Sequence, residues 1–385
     1  MANTYNKGAV SIFAVIFSTL LLTVLTVSFM GLMISAQQRA INNDLSQSAY
    51  DSALAGVEDA KRVVRACANG NVDACSALEA ASDCQVVARA KVNGSVDQPE
   101  TVIASNSSSG QSFDQAYTCV NIDMDSVDYL FEAQSGRAHI VPLRATRTIK
   151  KITIEWFTLE DNNNAPARTP TSSPAGSTSL PPVASWNSSA PSLIRAQLIT
   201  PGESFSLSSL DESSSSRTLF LRPANMSSGS TSGMPTANIQ VSQAAQPRAP
   251  SGDGSYSNSV SPVVCSSNYA NNGFSCSVTL DLADDQVIST GASNNALLRV
   301  DSLYKGANVR VTLHSQDGSE IKFDDVQPVV DSTGRASTLF RRVEARLRMG
   351  TDFPYPSYVA DVQNNLCKNF SVDDTSVVVS AGCSP

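Results

Sequence analysis

The chain has 385 residues, room for two to three domains at about 150 residues each. Apolar residues make up 41% and charged residues only 16%, so a core can form but the surface is neutral-polar rather than ionic. With 27 basic against 35 acidic side chains the net charge is −8, which repels a polyanion and disfavours non-specific nucleic-acid binding. The whole chain has two histidines, which removes most hydrolase triads and zinc sites from consideration. No G-x-S-x-G, phosphate-binding glycine loop or H-E-x-x-H occurs, so no enzyme activity and no cofactor are expected.

In chain order, the first element is the strongest. The 31 residues between Lys7 and Arg39 are uncharged, and Val10 to Ile34 is dominated by Val, Ile, Leu, Phe and Met. About 20 apolar residues cross a bilayer, so this run is long enough to span one. A secretory signal peptide is the competitor, since Ile34-Ser35-Ala36 is a passable cleavage site. Its apolar core is typically about 7–15 residues, however, and this one approaches 25, which predicts a retained membrane helix. The helix is expected to continue: Ile41, Leu45, Ala49, Ala53, Val57, Ala60 and Val64 recur in steps of three and four. The opposite face carries Asn43, Gln47, Asp51, Glu58, Lys61, Arg62 and Arg65. No proline precedes Pro99, and Asn69-Gly70 offers a C-cap, so Ala9 to Ala68 is predicted as one rod of about 90 Å. By itself this pattern also describes a membrane anchor followed by a stalk helix.

What precedes the apolar run narrows the reading. Met1 to Gly8 is a short polar leader ending in Lys7 and Gly8, and it resembles the leader of type IV prepilins. The stretch Ala49-Tyr50-Asp51-Ser52-Ala53-Leu54-Ala55-Gly56-Val57-Glu58-Asp59-Ala60 is similar to the pilin pattern that follows the membrane segment. The resemblance to the type IV pilin-like family covers about the first 65 residues. Ser332-Thr333-Gly334-Arg335-Ala336 resembles, more loosely, a C-terminal pattern of its large members.

This resemblance implies cleavage between Gly8 and Ala9 by a prepilin peptidase. It also implies a non-enzymatic subunit whose helix packs among other pilin subunits through residues such as Val10, Phe13, Ile16, Leu21, Leu25 and Ile34. Most family members carry Glu at the fifth mature position, where it pairs with a neighbour's amine; here Phe13 stands there. Large minor pilins at the filament tip are the subset without that Glu, so the departure points to a minor pilin. The location implied is a single-pass membrane protein with its short N-terminus cytoplasmic and its bulk extracytoplasmic, on a pilus or cell surface after assembly. Contact with a host or environmental surface is compatible with this, and DNA is not an expected partner. Two other readings stay open: a standalone membrane-anchored adhesin, and a DNA-binding subunit of a competence filament.

Beyond the helix, Cys67, Cys75, Cys84 and Cys119 form one group of cysteines, and Cys265, Cys276, Cys367 and Cys383 another. An even number after an apolar export or anchor segment reads as disulfides in an oxidising compartment. The first group allows three connectivities; in the second, Cys265–Cys276 and Cys367–Cys383 are the expected local pairs. Short alternating runs such as 152–156, 309–314 and 341–349 predict strands. Segments 161–190 and 225–262 are rich in Pro, Ser, Thr and Asn and read as linkers or long loops. The predicted class is therefore α+β: a long N-terminal membrane-spanning helix followed by disulfide-stapled β-rich extracytoplasmic domains. The expected division is leader 1–8, helix 9–70, a β-rich domain 71–160, a linker 161–190, and a second β-rich domain 191–385.

Three further features are weighed. The acids Asp123, Asp125 and Asp128, and Asp324 and Asp325, lack a D-x-D-x-D-G loop and read as solvated carboxylates, with no metal expected. The row Arg342, Arg346 and Arg348 could grip phosphates but is interrupted by Glu344 and reads as a strand face with cross-strand ion pairs. Trp186, inside the low-complexity stretch, is expected to dock back onto a neighbouring β domain.

Overall fold

A computed structural model of the full chain describes residues 7–80, 84–91, 100–103, 114–168, 184, 186–200, 216–224, 236–241, 260–284, 287–290 and 296–348. Helix α1 (Lys7–Ala68) is one unbroken element of 62 residues, about 90 Å long. It stops where the sequence marks its end. Gly70 takes φ +84°, its N–H bonds Cys67 O at 2.8 Å, and Asn71 N–H bonds Ala66 O at 3.0 Å, the paired bonds of a Schellman cap. The Asn71 side chain then caps α2 (Val72–Glu79) by accepting from Ala74 N–H, and α3 (Val86–Arg89) follows.

The first strands in chain order are β1 (Thr101–Val102), β2 (Gln115–Asp123), β3 (Asp128–Ala133), β4 (Ala138–Pro142) and β5 (Lys151–Thr158). Next come β6 (Leu193–Ile199), β7 (Ser216–Ala224), β8 (Asn238–Val241), β9 (Ser261–Val264) and β10 (Phe274–Leu282). The last are β11 (Leu297–Leu303), β12 (Ala307–His314), β13 (Glu320–Ile321), β14 (Val329–Ala336) and β15 (Leu339–Arg346). They form three sheets. A four-stranded antiparallel sheet, ordered β1-β2-β14-β15, packs against the C-terminal half of α1. A six-stranded sheet (β13-β12-β5-β10-β8, with β3 on β12) and a five-stranded sheet (β4-β11-β6-β7-β9) share one core around Ile152, Ile154, Trp156, Ile194, Leu298 and Val300.

The expected division at 161–190 does not describe this arrangement, because every sheet takes strands from both sides of that segment. The chain leaves the helix-packed sheet at Asp123 and rejoins it at Val329, and those two residues are register partners on β2 and β14. Residues 124–328 are thus an insertion grafted into one hairpin-like pair of strands. The physical reason is that β2 and β14 satisfy each other's backbone groups over eight register pairs, a pairing that leaves no trace in local composition. The first low-complexity stretch falls between β5 and β6; the second is not purely a loop, since it contains β8 and reaches the start of β9.

Candidate functional site

Residues 12–34 of α1 show why this helix is the first candidate. Phe13 is 75% exposed, Leu25 60% and Ile34 57%, and Ile16 and Leu21 are likewise uncovered, so no described part of the chain buries them. The segment is long and apolar enough to cross a membrane. Its few polar side chains are already satisfied. Ser18, Thr19, Thr23, Thr26, Ser28 and Ser35 each donate to the carbonyl three or four residues back, at 2.8–3.0 Å. Back-bonding of this kind lets hydroxyls sit where no water is available. Gly8, Ala9 and Val10 fall in the first turns of α1, with their side chains outside the described residues.

Further along, the same helix changes character. Ala49, Ala53, Val57, Ala60 and Val64, on the stripe that the periodicity predicts, are buried with Val63 against the helix-packed sheet, while Ile41 at the start of that stripe is exposed. Small residues let the backbones approach closely. A Cβ on Gly334 of β14 would collide with Ala49 O and Ala53 N, and one on Gly56 would collide with Ser332 and Val120. A polar pin fixes the rotation of the helix: Tyr117 Oη of β2 donates to Asp59 Oδ2 at 2.8 Å, and Arg62 Nη1 on the same helix holds Asp59 Oδ1 at 2.9 Å. Arg341 reaches Ser46 Oγ at 2.8 Å from its Nε. The Tyr117–Asp59 bond carried no sequence signal, since its partners lie 58 residues apart.

Of the cysteines, Cys67 pairs with Cys75 and Cys84 with Cys119, which settles the connectivity left open above, and Cys265 pairs with Cys276 as expected. Cys367 and Cys383 lie outside the described residues. Arg342 is ion-paired with Asp331 across the β14–β15 hairpin, and Arg346 pairs with Asp128 Oδ1 at 2.8 Å, tying the hairpin to β3. Asp125, Asp324 and Asp325, which belong to two separate clusters in the sequence, come together beside the graft, with one carboxylate oxygen from each within 4.8 Å of the others. Burial and the neighbouring carboxylates, Asp324 foremost, raise the pKa values of Asp125 and Asp325 above the usual range.

His139 is pushed down to about 4, first by burial and then by the Arg348 charge; it stacks on Phe131 at 3.9 Å and hydrogen-bonds Tyr129 Oη. Trp186 docks back as expected, lying flat on Tyr304 at 4.4 Å.

Among the described residues, the fold and its uncovered segment define one membrane-capable helix and a β-rich, disulfide-braced remainder. Comparison with protein-family models, curated proteins and solved structures finds no match.

Proposed function

We propose that the chain is a non-enzymatic minor pilin-like subunit of a type IV pilus or related pseudopilus, acting in filament initiation or tip display. The observation that carries this reading is α1 itself. One continuous helix has an uncovered apolar half and a half docked on a four-stranded sheet through small residues. Before assembly the apolar half lies in the membrane, with Met1 to Lys7 on the cytoplasmic side and the disulfide-braced bulk outside. A prepilin peptidase cleaves between Gly8 and Ala9. Phe13, Ile16, Leu21, Leu25 and Ile34 then leave lipid for the helices of other subunits, an exchange driven by packing because lipid tails are as apolar as the side chains. Phe13 in place of the usual Glu suits a subunit with no neighbour above it. The grafted unit 124–328 is the displayed part. Its insertion between paired residues leaves the assembly unit's own sheet continuous.

The mature N-terminus tests this reading by mass spectrometry on surface-sheared and membrane fractions. A peptide beginning at Ala9 in the sheared fraction is the expected result. A peptide still beginning within Met1 to Lys7 would leave a membrane-anchored surface adhesin instead, a second reading that the grafted unit alone would satisfy. The DNA-binding reading has less support, because the carboxylates of Asp331 and Asp128 already engage Arg342 and Arg346.

A further inference from the structure

The two ends of the six-stranded sheet differ. Its β12 end at His314, with Thr312 opposite Asp128, lies toward the junction with the helix-packed sheet, where Phe323 N–H bonds Ser126 O and Lys322 pairs with Asp123. The other end, at Ala307, Ala133, Thr158 and Phe274, lies about 23 Å further along the strands, at 3.3 Å per residue. Four loops are fastened together at that far end. Tyr269 Oη donates to Ala165 O at 2.7 Å, Arg168 N–H bonds Ser189 O at 2.9 Å, and Lys305 Nζ bonds Ser188 O at 2.8 Å. The Trp186–Tyr304 stack closes one side, and Lys305 lies over the Phe157 ring at 4.2 Å. Phe157, Tyr269 and Tyr304 all have φ between +55° and +73°, a conformation that costs a bulky residue energy and that the Cys265–Cys276 bridge helps to hold around Tyr269.

At the same end of the sheet a cleft of about 470 Å³ opens between β3, the start of β12, the turn after β5 and the start of β10. Buried Phe131, Phe274 and Val309 form its floor, and exposed Leu159, Glu160 and Asn164 its rim. The size lies within the range of small-ligand sites, and an apolar base with a few convergent polar groups is their usual construction. Among the described residues the Glu160 and Asn164 side chains have no hydrogen-bond partner, so both are available to a ligand. Among the described residues Glu160 is the only charged one lining the cleft.

We infer that this cleft binds a neutral saccharide. A sugar ring presents C–H faces to an apolar wall and hydroxyls at its edge. Leu159 with the phenyl floor meets the first, while the Glu160 carboxylate accepts from the second and the Asn164 amide can donate or accept. A lone acid with no base in the lining repels sialylated, sulfated or nucleic-acid ligands. The inference rests on the display reading only for which end faces outward.

The test uses the purified full chain in detergent micelles on an array of neutral hexose and N-acetylhexosamine oligosaccharides, with acidic glycans and proline-rich peptides alongside. Neutral glycans should bind and be displaced by the same sugar in solution. Leu159→Arg, which crowds the rim, and Asn164→Gly, which keeps the left-handed backbone at that position, should each weaken binding about tenfold or more with unchanged thermal midpoints. Lys61→Ala, on the far helix, should bind like the parent chain. No neutral-glycan binding, a preference for acidic glycans or peptides, or variants that bind undiminished would overturn the inference. Glycan binding by a chain that is never processed at Ala9 would end the pilin reading and leave this site standing.

Discussion

The two cores of the molecule are built on opposite rules. Where α1 meets its sheet the points of closest approach are small, with Ala49, Ala53 and Gly56 of the helix against Gly334 and its neighbours, and medium-sized Val57, Val63 and Val64 fill the rest of the seam. Inside the inserted unit they are large, with Trp156, Phe157, Phe323, Leu143 and Ile152 almost fully buried. A small-residue seam holds a long helix at one fixed distance and angle, which matters if that helix must project accurately into neighbours. A large-residue core supplies area and lets a unit joined at two points hold itself together. The seam should therefore tolerate no enlargement, and the inserted core no truncation.

The sharpest way to break that contrast is a crossed pair of substitutions. Gly334→Val places side-chain atoms on the backbone of α1, so the helix must lift from β14. The expected loss is about 5 kcal/mol or more, above the usual 1–3 for overpacking because backbone rather than a flexible side chain must move. Trp156→Ala empties a site in the other core and removes the Trp156 Nε1–Ser192 O bond of 2.8 Å, at about 3–5 kcal/mol. Hydrogen exchange should locate the first loss in α1, β2 and β14 and the second in the inserted strands. Both losses appearing throughout the chain would mean that the two cores unfold as one.

Much of this was legible in the sequence, and the parts that were not share a cause. Helix α1 could be read because its signals are local: an uncharged run, a stripe in steps of three and four, and Asn69-Gly70 at the end. The strands around Ile152–Trp156 and Val309–His314 showed in their alternation, and Cys265–Cys276 in its spacing of 11 residues. The graft could not be read. Asp123 and Val329 are paired across some two hundred residues of sequence, and neither residue type hints at it. The same holds for the acids at Asp125 and Asp324–Asp325, for Tyr117 on Asp59, and for the far-end cleft, whose lining comes from β3, β10, β12 and the loop after β5. Low-complexity composition did not mark the boundaries, and the second stretch carries β8 inside it, because composition reports what a segment cannot bury and not what its backbone or its flanks pair with.

Within the inserted unit acid acts against stability at His139, while the raised Asp125 and Asp325 carboxyls act the other way. Folded His139 titrates near 4, whereas an unfolded imidazole titrates near the usual 6.5. Between those values the unfolded chain takes up a proton that the folded chain refuses, so stability is full above 6.5 and falls as pH drops toward 4. The change over that window is on the order of 3 kcal/mol. Replacing His139 with Asn should flatten that part of the pH–stability curve of the inserted unit. An unchanged slope would mean that the imidazole is protonated within the fold, despite Phe131, Tyr129 and Arg348 around it.

The smallest contrast lies within the helix-packed unit, between its two disulfides. Cys67–Cys75 spans eight residues at the end of α1, and Cys84–Cys119 spans 35, joining the segment before α3 to the middle of β2. If each bridge acts by restricting the unfolded chain, the longer loop is worth more, by about 1 kcal/mol on loop-closure entropy alone. Paired serine substitutions at Cys84 and Cys119 should therefore lower the denaturation midpoint further than those at Cys67 and Cys75. Equal losses would point to a different origin for the shorter bridge. It locks α2 against the Schellman turn at Gly70, and removing it would then loosen native packing around Ala74 and Ala77 as well as enlarging the unfolded ensemble. Hydrogen exchange at the Gly70 and Asn71 amides separates the two causes, since faster exchange there under native conditions reports the folded state alone.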